Sequence, residues 1–87
     1  MALLSVRHRV RDYSTWKAVY DTLDALQRDW GVTVDSVYQL VEDPNTVLVL
    51  RYFATVAQAQ GFLTNRELET VMRHAGVEGV PMVEIYA

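Results

Sequence analysis

The sequence predicts an α+β fold of order β-α-β-β-α-β, built as one domain over residues 1–87. Three stretches carry that expectation. Residues 2–10 alternate with period two, residues 13–30 repeat their apolar positions every three or four residues, and residues 47–53 (VLVLRYF) are apolar on both sides. These are the patterns of a half-buried strand, an amphipathic helix and a central strand covered on both faces.

In the first strand Leu4, Val6, His8 and Val10 point one way and Leu3, Ser5, Arg7 and Arg9 the other. Asp12 follows as a helix N-cap, since its carboxylate can accept a bond from an unpaired amide of the first turn. From Tyr13 to Trp30 the positions Trp16, Val19, Tyr20, Leu23, Leu26 and Trp30 form one face of a long helix, and Gly31 ends it. A second strand is expected over about Val34–Val41, with a turn at Glu42–Thr46 where Pro44 presets φ and Asp43 and Asn45 bond the local backbone.

The third strand, Val47–Phe53, leads to Thr55-x-x-Gln58, a capping-box pattern opening a helix with Ala59, Phe62 and Leu63 buried. A second such pattern, Thr64-x-x-Glu67, predicts a helix broken near Asn65. The restart turns Leu68, Val71, Met72 and Ala75 inward and stops at Gly76. Val80–Tyr86 is the fourth strand, with Pro81 near its start, where a missing amide is tolerated. This order gives a split βαβ, ferredoxin-like plait: a four-stranded antiparallel sheet, strands one and three central, helices on one face. Two helical segments leave the other face bare, and a second copy of the chain is the simplest cover.

Composition narrows the function. A net charge of −3 argues against a nucleic-acid partner. The absence of cysteine excludes thiolate metal sites and thiol nucleophiles. No stretch reaches the length of a membrane span and no signal-peptide pattern opens the chain, so a cytoplasmic protein is expected. The two histidines lie on separate elements without metal-ligand spacing, so no metal is expected, and no glycine-rich phosphate loop or dinucleotide fingerprint calls for a cofactor.

His8 is the candidate acid/base. An imidazole at the end of a strand can take or give a proton or orient a substrate hydroxyl; otherwise it is a half-buried group bonded to a carboxylate or carbonyl. Trp16 and Tyr20 are one turn apart and wall a ligand site or fill the core, and Tyr13 closes an entrance or packs on the surface. Arg51 and Tyr52 interrupt an apolar strand; Arg51 meets a carboxylate across a dimer or faces an anionic or carbonyl-bearing ligand, because a buried charge is costly alone. His74, in the last turn of its helix, reads as a capping cation.

The motifs VRHxVxDYxxWK (Val6 to Lys17) and DPNxVxVL (Asp43 to Leu50), with Phe62, Glu67-Leu68, Met72 and Ala75 to Val77, resemble small bacterial proteins of the dimeric α+β barrel superfamily, near the antibiotic-biosynthesis monooxygenase (ABM-like) domains. The resemblance implies a homodimer packed sheet to sheet and a small-molecule pocket between sheet and helices. Its members include cofactor-independent monooxygenases of aromatic polyketides, cyclases, isomerases and haem-degrading enzymes. The Asn-Trp-Arg set of the quinone-forming monooxygenases does not align here and is not carried over. The expectation is therefore a small-molecule-binding dimer, an enzyme of monooxygenase, cyclase or isomerase type on an aromatic or polyketide-like ligand, or else a binding or structural homodimer.

Overall fold

The computed structural model describes residues 1–87. Its strands are β1 (Ala2–Val10), β2 (Val32–Leu40), β3 (Asp43–Phe53) and β4 (Val77–Tyr86), in the antiparallel order β2-β3-β1-β4. Strands one and three are central, and the fold is the ferredoxin-like α+β plait. Residues with alternate numbers in β1 are buried, from Ala2 through Leu4, Val6 and His8 to Val10. Their cross-strand partners on β3, Phe53, Arg51, Val49 and Val47, are buried on the same face. That face carries the helices.

The expected long helix is two helices, α1 (Tyr13–Asp21) and α2 (Asp24–Asp29). Thr22 breaks it: its hydroxyl donates to the Val19 carbonyl at 2.6 Å, and the amides of Thr22 and Leu23 reach back only three residues, to Val19 and Tyr20. A threonine whose hydroxyl bonds the backbone competes with the helical ladder in this way. Asp12 caps α1, accepting from the Thr15 amide at 2.9 Å. Gly31 follows α2 at φ 98°.

Helices α3 (Val56–Leu63) and α4 (Arg66–His74) form the second pair. Thr55 caps α3 through the Gln58 amide. The break lies at Asn65, but Asn65 is itself the cap of α4, its Oδ1 accepting from Glu67 and Leu68. Thr64 belongs to the end of α3, donating to the Gly61 carbonyl. Asparagine outcompetes the threonine because its oxygen sits one atom further out and reaches two amides. Leu63 is 41% exposed rather than buried, since it follows Phe62 around the helix toward solvent.

Two irregularities shape the sheet. The β2–β3 turn is at Val41–Glu42, and the Asp43 carboxylate organises a bulge beyond it, accepting from the Asn45 amide and the Thr46 hydroxyl. In β4 the pairing with β1 jumps from Arg7–Met82 to Arg9–Glu78, so three residues, Gly79 to Pro81, stand opposite His8. Gly79 supplies the positive φ of that bulge and Pro81 falls where no ladder amide is needed.

Buried side chains divide into two clusters on the helix side, one around Leu4, Phe53 and Phe62, the other around Val10, Trp16 and Tyr20. The opposite face is bare: Leu3, Leu48, Leu50, Val34, Tyr38 and Met82 share it with Arg7, Ser5 and Tyr52.

Candidate functional site

Between the sheet and the α3–α4 pair lies a cavity of about 210 Å³. Val6 and His8 of β1, Arg51 of β3 and Val77, Pro81 and Val83 of β4 form its floor; Phe62, Leu68 and Met72 form its roof, with Leu63, Asn65 and Glu69 beside them. The broken second helix makes this space, because α3 and α4 meet at Asn65 above it. Sequence reading placed His8 and Arg51 but not the helical roof; the break at Asn65 was the available signal.

His8 is 8% exposed, and its Nδ1 is buried without a hydrogen-bond partner. Burial pushes its pKa down to about 4, with the positive charge of Arg51 acting in the same direction and the Arg9 backbone opposing. The imidazole is therefore neutral at pH 7: a proton acceptor or a neutral donor, and not the protonated acid that an unperturbed histidine supplies in part near neutrality.

Arg51 is 4% exposed and stays on the helix face, away from any chain docking on the bare face of the sheet. Its Nε donates to Oε1 of Gln27 at 2.7 Å, and its guanidinium lies 4.8 Å from the centre of the Phe62 ring and 5.6 Å from that of Tyr20. No carboxylate comes within ion-pair distance of it. Asp35, its cross-strand neighbour on β2, is engaged elsewhere: it accepts from the Tyr20 hydroxyl and from Arg28 Nη2 at 2.5 Å. Desolvation lowers the Arg51 pKa from its ordinary value, while Tyr20 and Asp35 pull it back up. A guanidinium keeps its proton under such loads.

The α1 aromatics do not line the cavity. Tyr13, Trp16 and Tyr20 lie in a row behind it, with ring centres 6.0 Å and 5.0 Å apart, the latter two stacked, and Trp16 meets the His8 ring edge-on at 5.4 Å. They back His8 and Arg51 from the far side. The Trp16 indole N–H, like His8 Nδ1, is buried without a partner. Burial, then the bond to Asp35, raises the Tyr20 pKa to about 12, so its phenol stays protonated. Tyr52 is separated from all of these, pairing with Leu3 and Val34 on the bare face of the sheet.

Gln27, 1% exposed, is the residue that sequence reading missed. It sits on the inner stripe in series with Tyr20 and Leu23, and a polar residue on an apolar stripe was the signal. His74 is exposed at the end of α4.

This arrangement is a ferredoxin-like α+β plait. Solved structures share it over almost the whole chain. An antibiotic biosynthesis monooxygenase superimposes with a TM-score of 0.77 over 100% of this chain and 97% of its own, at 10% identity. SnoaB, a cofactor-independent oxygenase from Streptomyces nogalater, gives 0.79 over 99% and 90%, at 11% identity. A conserved protein from Methanosarcina mazei Go1 gives 0.76 over 99% and 91%, at 15% identity. No family model matches the chain, and no curated protein matches its sequence. At such identities the likeness is one of fold.

Proposed function

We propose that the protein is a homodimeric enzyme that binds a small molecule in the cavity of each subunit, with His8 as its base. The observation that carries this reading is that His8, whose Nδ1 is buried without a partner, lines a cavity together with an uncompensated arginine. Buried polar atoms are paired in the great majority of proteins, and an exception at a cavity wall fits a ligand-binding group.

His8 takes a proton from an enol or phenol, and Arg51 holds the resulting oxyanion by charge-assisted hydrogen bonds. An anion in the cavity also raises the basicity of His8, because it offsets the arginine that depresses it. Trp16, with Tyr13 and Tyr20 behind it, fixes the imidazole ring. Such proton removal needs no metal, since the substrate's own carbanion or phenolate supplies the reactivity toward cyclisation, isomerisation or dioxygen. The likeness to SnoaB, described as a cofactor-independent oxygenase, supports this class of chemistry. The bare sheet face, with Tyr52 on it, packs against that of a second copy, and this arrangement leaves both cavities open on the helix side.

The test is a thermal-shift screen of phenols, enols and quinones, followed by turnover of whatever binds. A binder should be consumed by the wild type, and His8→Ala should lower its turnover at least a hundredfold in a dimer of unchanged fold. Equal turnover in the variant removes His8 from the mechanism.

A further inference from the structure

The electrostatics of the cavity carry the argument one step further, to the class of ligand, and this step rests on the cavity being a binding site. Arg51 is a full positive charge almost removed from water, and a buried cation is costly unless an anion faces it. Within the chain it has only a neutral partner. Gln27 fixes the guanidinium through Nε, and the rings of Phe62 and Tyr20 flank it. The nearest candidate anion, Asp35, is held by Tyr20 and Arg28. Glu69, on the cavity wall, is an exposed side chain paired with Arg73 at 2.8 Å. His8 and Arg51 thus present a neutral imidazole and an unneutralised guanidinium to one small space.

That space is also of single-ring size. At ~30 Å³ per water, 210 Å³ holds about seven water molecules, below the range usual for drug-sized ligands. A single ring with one or two substituents fills it, which narrows the aromatic or polyketide-like expectation. The walls are mostly apolar, from Val6, Phe62, Leu68, Met72 and Val83.

We infer that the cavity takes a small monoanionic acid of single-ring size, its carboxylate on Arg51 and its apolar body against the α3–α4 roof, and that Gln27 is the positioning residue that orients Arg51 without neutralising it. A glutamine serves where a glutamate would not. Both accept the Nε bond, but a glutamate would form the ion pair inside the chain and leave the ligand nothing to compensate.

Benzoate and benzamide test this, being nearly equal in shape and different in charge. Binding is read from tryptophan fluorescence, since Trp16 packs on His8 and Trp30 on Phe62, and from calorimetry on the intact protein. Benzoate is expected to bind at least tenfold more tightly than benzamide. Gln27→Glu is expected to remove that preference while benzamide affinity stays within twofold, and Gln27→Met, which cannot neutralise Arg51, to keep part of it. Equal binding of the two probes to the wild type overturns the anion inference and leaves the cavity reading standing. Binding of neither probe overturns both. Because the wild-type comparison needs no variant, a Gln27 substitution that fails to fold does not remove the test.

Discussion

The pH dependence of stability, compared between the wild type and a His8 variant, isolates the contribution of His8. At pH 7 its imidazole is neutral in the folded chain and mostly neutral in the unfolded one. As pH falls through 6.5 the unfolded chain takes up a proton that the folded chain, with its value at about 4, refuses. The unfolded state then binds more protons, so stability decreases as pH falls, and the contribution levels off below about 4, where both states are protonated. The full gap, at about 1.4 kcal/mol per tenfold, corresponds to about 3 kcal/mol, of which about 2 kcal/mol is lost by pH 4.5. Asp35 and Asp43, held below the ordinary carboxylate range, add their own loss in acid and have to be subtracted. His8→Gln provides the subtraction, since glutamine does not titrate. Urea denaturation of both proteins from pH 7 to 4.5, at one protein concentration and without ligand, should show the wild type losing about 2 kcal/mol more than the variant. Parallel losses would mean that His8 is not desolvated as the structure has it, and the reasoning fails.

The other predictions are independent of His8. Light scattering should give a mass of twice 9.9 kDa at micromolar concentration, and Leu50→Arg on the bare sheet face should reduce it to that of one chain; a wild-type monomer sinks the dimer. Phe62→Ala removes the ring that roofs the cavity and packs on Phe53, and should cost about 3–5 kcal/mol in urea denaturation. A loss under about 1 kcal/mol would place Phe62 outside the core. Asn65→Ala should destabilise by about 1 kcal/mol, a fall in melting temperature of about 4–8 °C, while Thr64→Ala changes little. The reverse ranking would return the cap of α4 to Thr64.

The strands were the most legible part of the fold because their patterns are unambiguous. The alternation through Leu4, Val6 and His8 leaves only one inward face, and VLVLRYF reads as central whichever register it takes. The helical breaks were less so. At Asn65 a second capping pattern announced the interruption, though it pointed to Thr64. At Thr22 nothing did, because the apolar spacing runs on unbroken from Trp16 to Trp30 while the hydroxyl of Thr22 turns to the backbone. The site divides in the same way. His8 and Arg51 stood out as polar groups in apolar strands, and both line the cavity. Tyr52 followed Arg51 in the sequence and so was grouped with it, although neighbours in a strand face opposite ways. Trp16 and Tyr20 were read correctly as one helix face and Tyr13 was left to an entrance or the surface, but helical spacing says nothing about which side of His8 these rings occupy. The roof came from residues two helices and two strands beyond His8, whose meeting only the tertiary fold records.

The two-residue rhythm of β1 has a consequence for how this chain can vary. Val6, His8 and Val10 are separated by Arg7 and Arg9, so moving the strand by one residue would put two guanidiniums among Trp16, Val47 and Val49 and expel the imidazole. A single inserted or deleted residue anywhere between Leu4 and Val10 is therefore read as a frameshift of the whole interior. The Val41–Glu42 turn carries no such phase, and length changes there leave both faces of the sheet as they are. The chain can change length at one end of its hairpin, and hardly at all in the strand that holds His8.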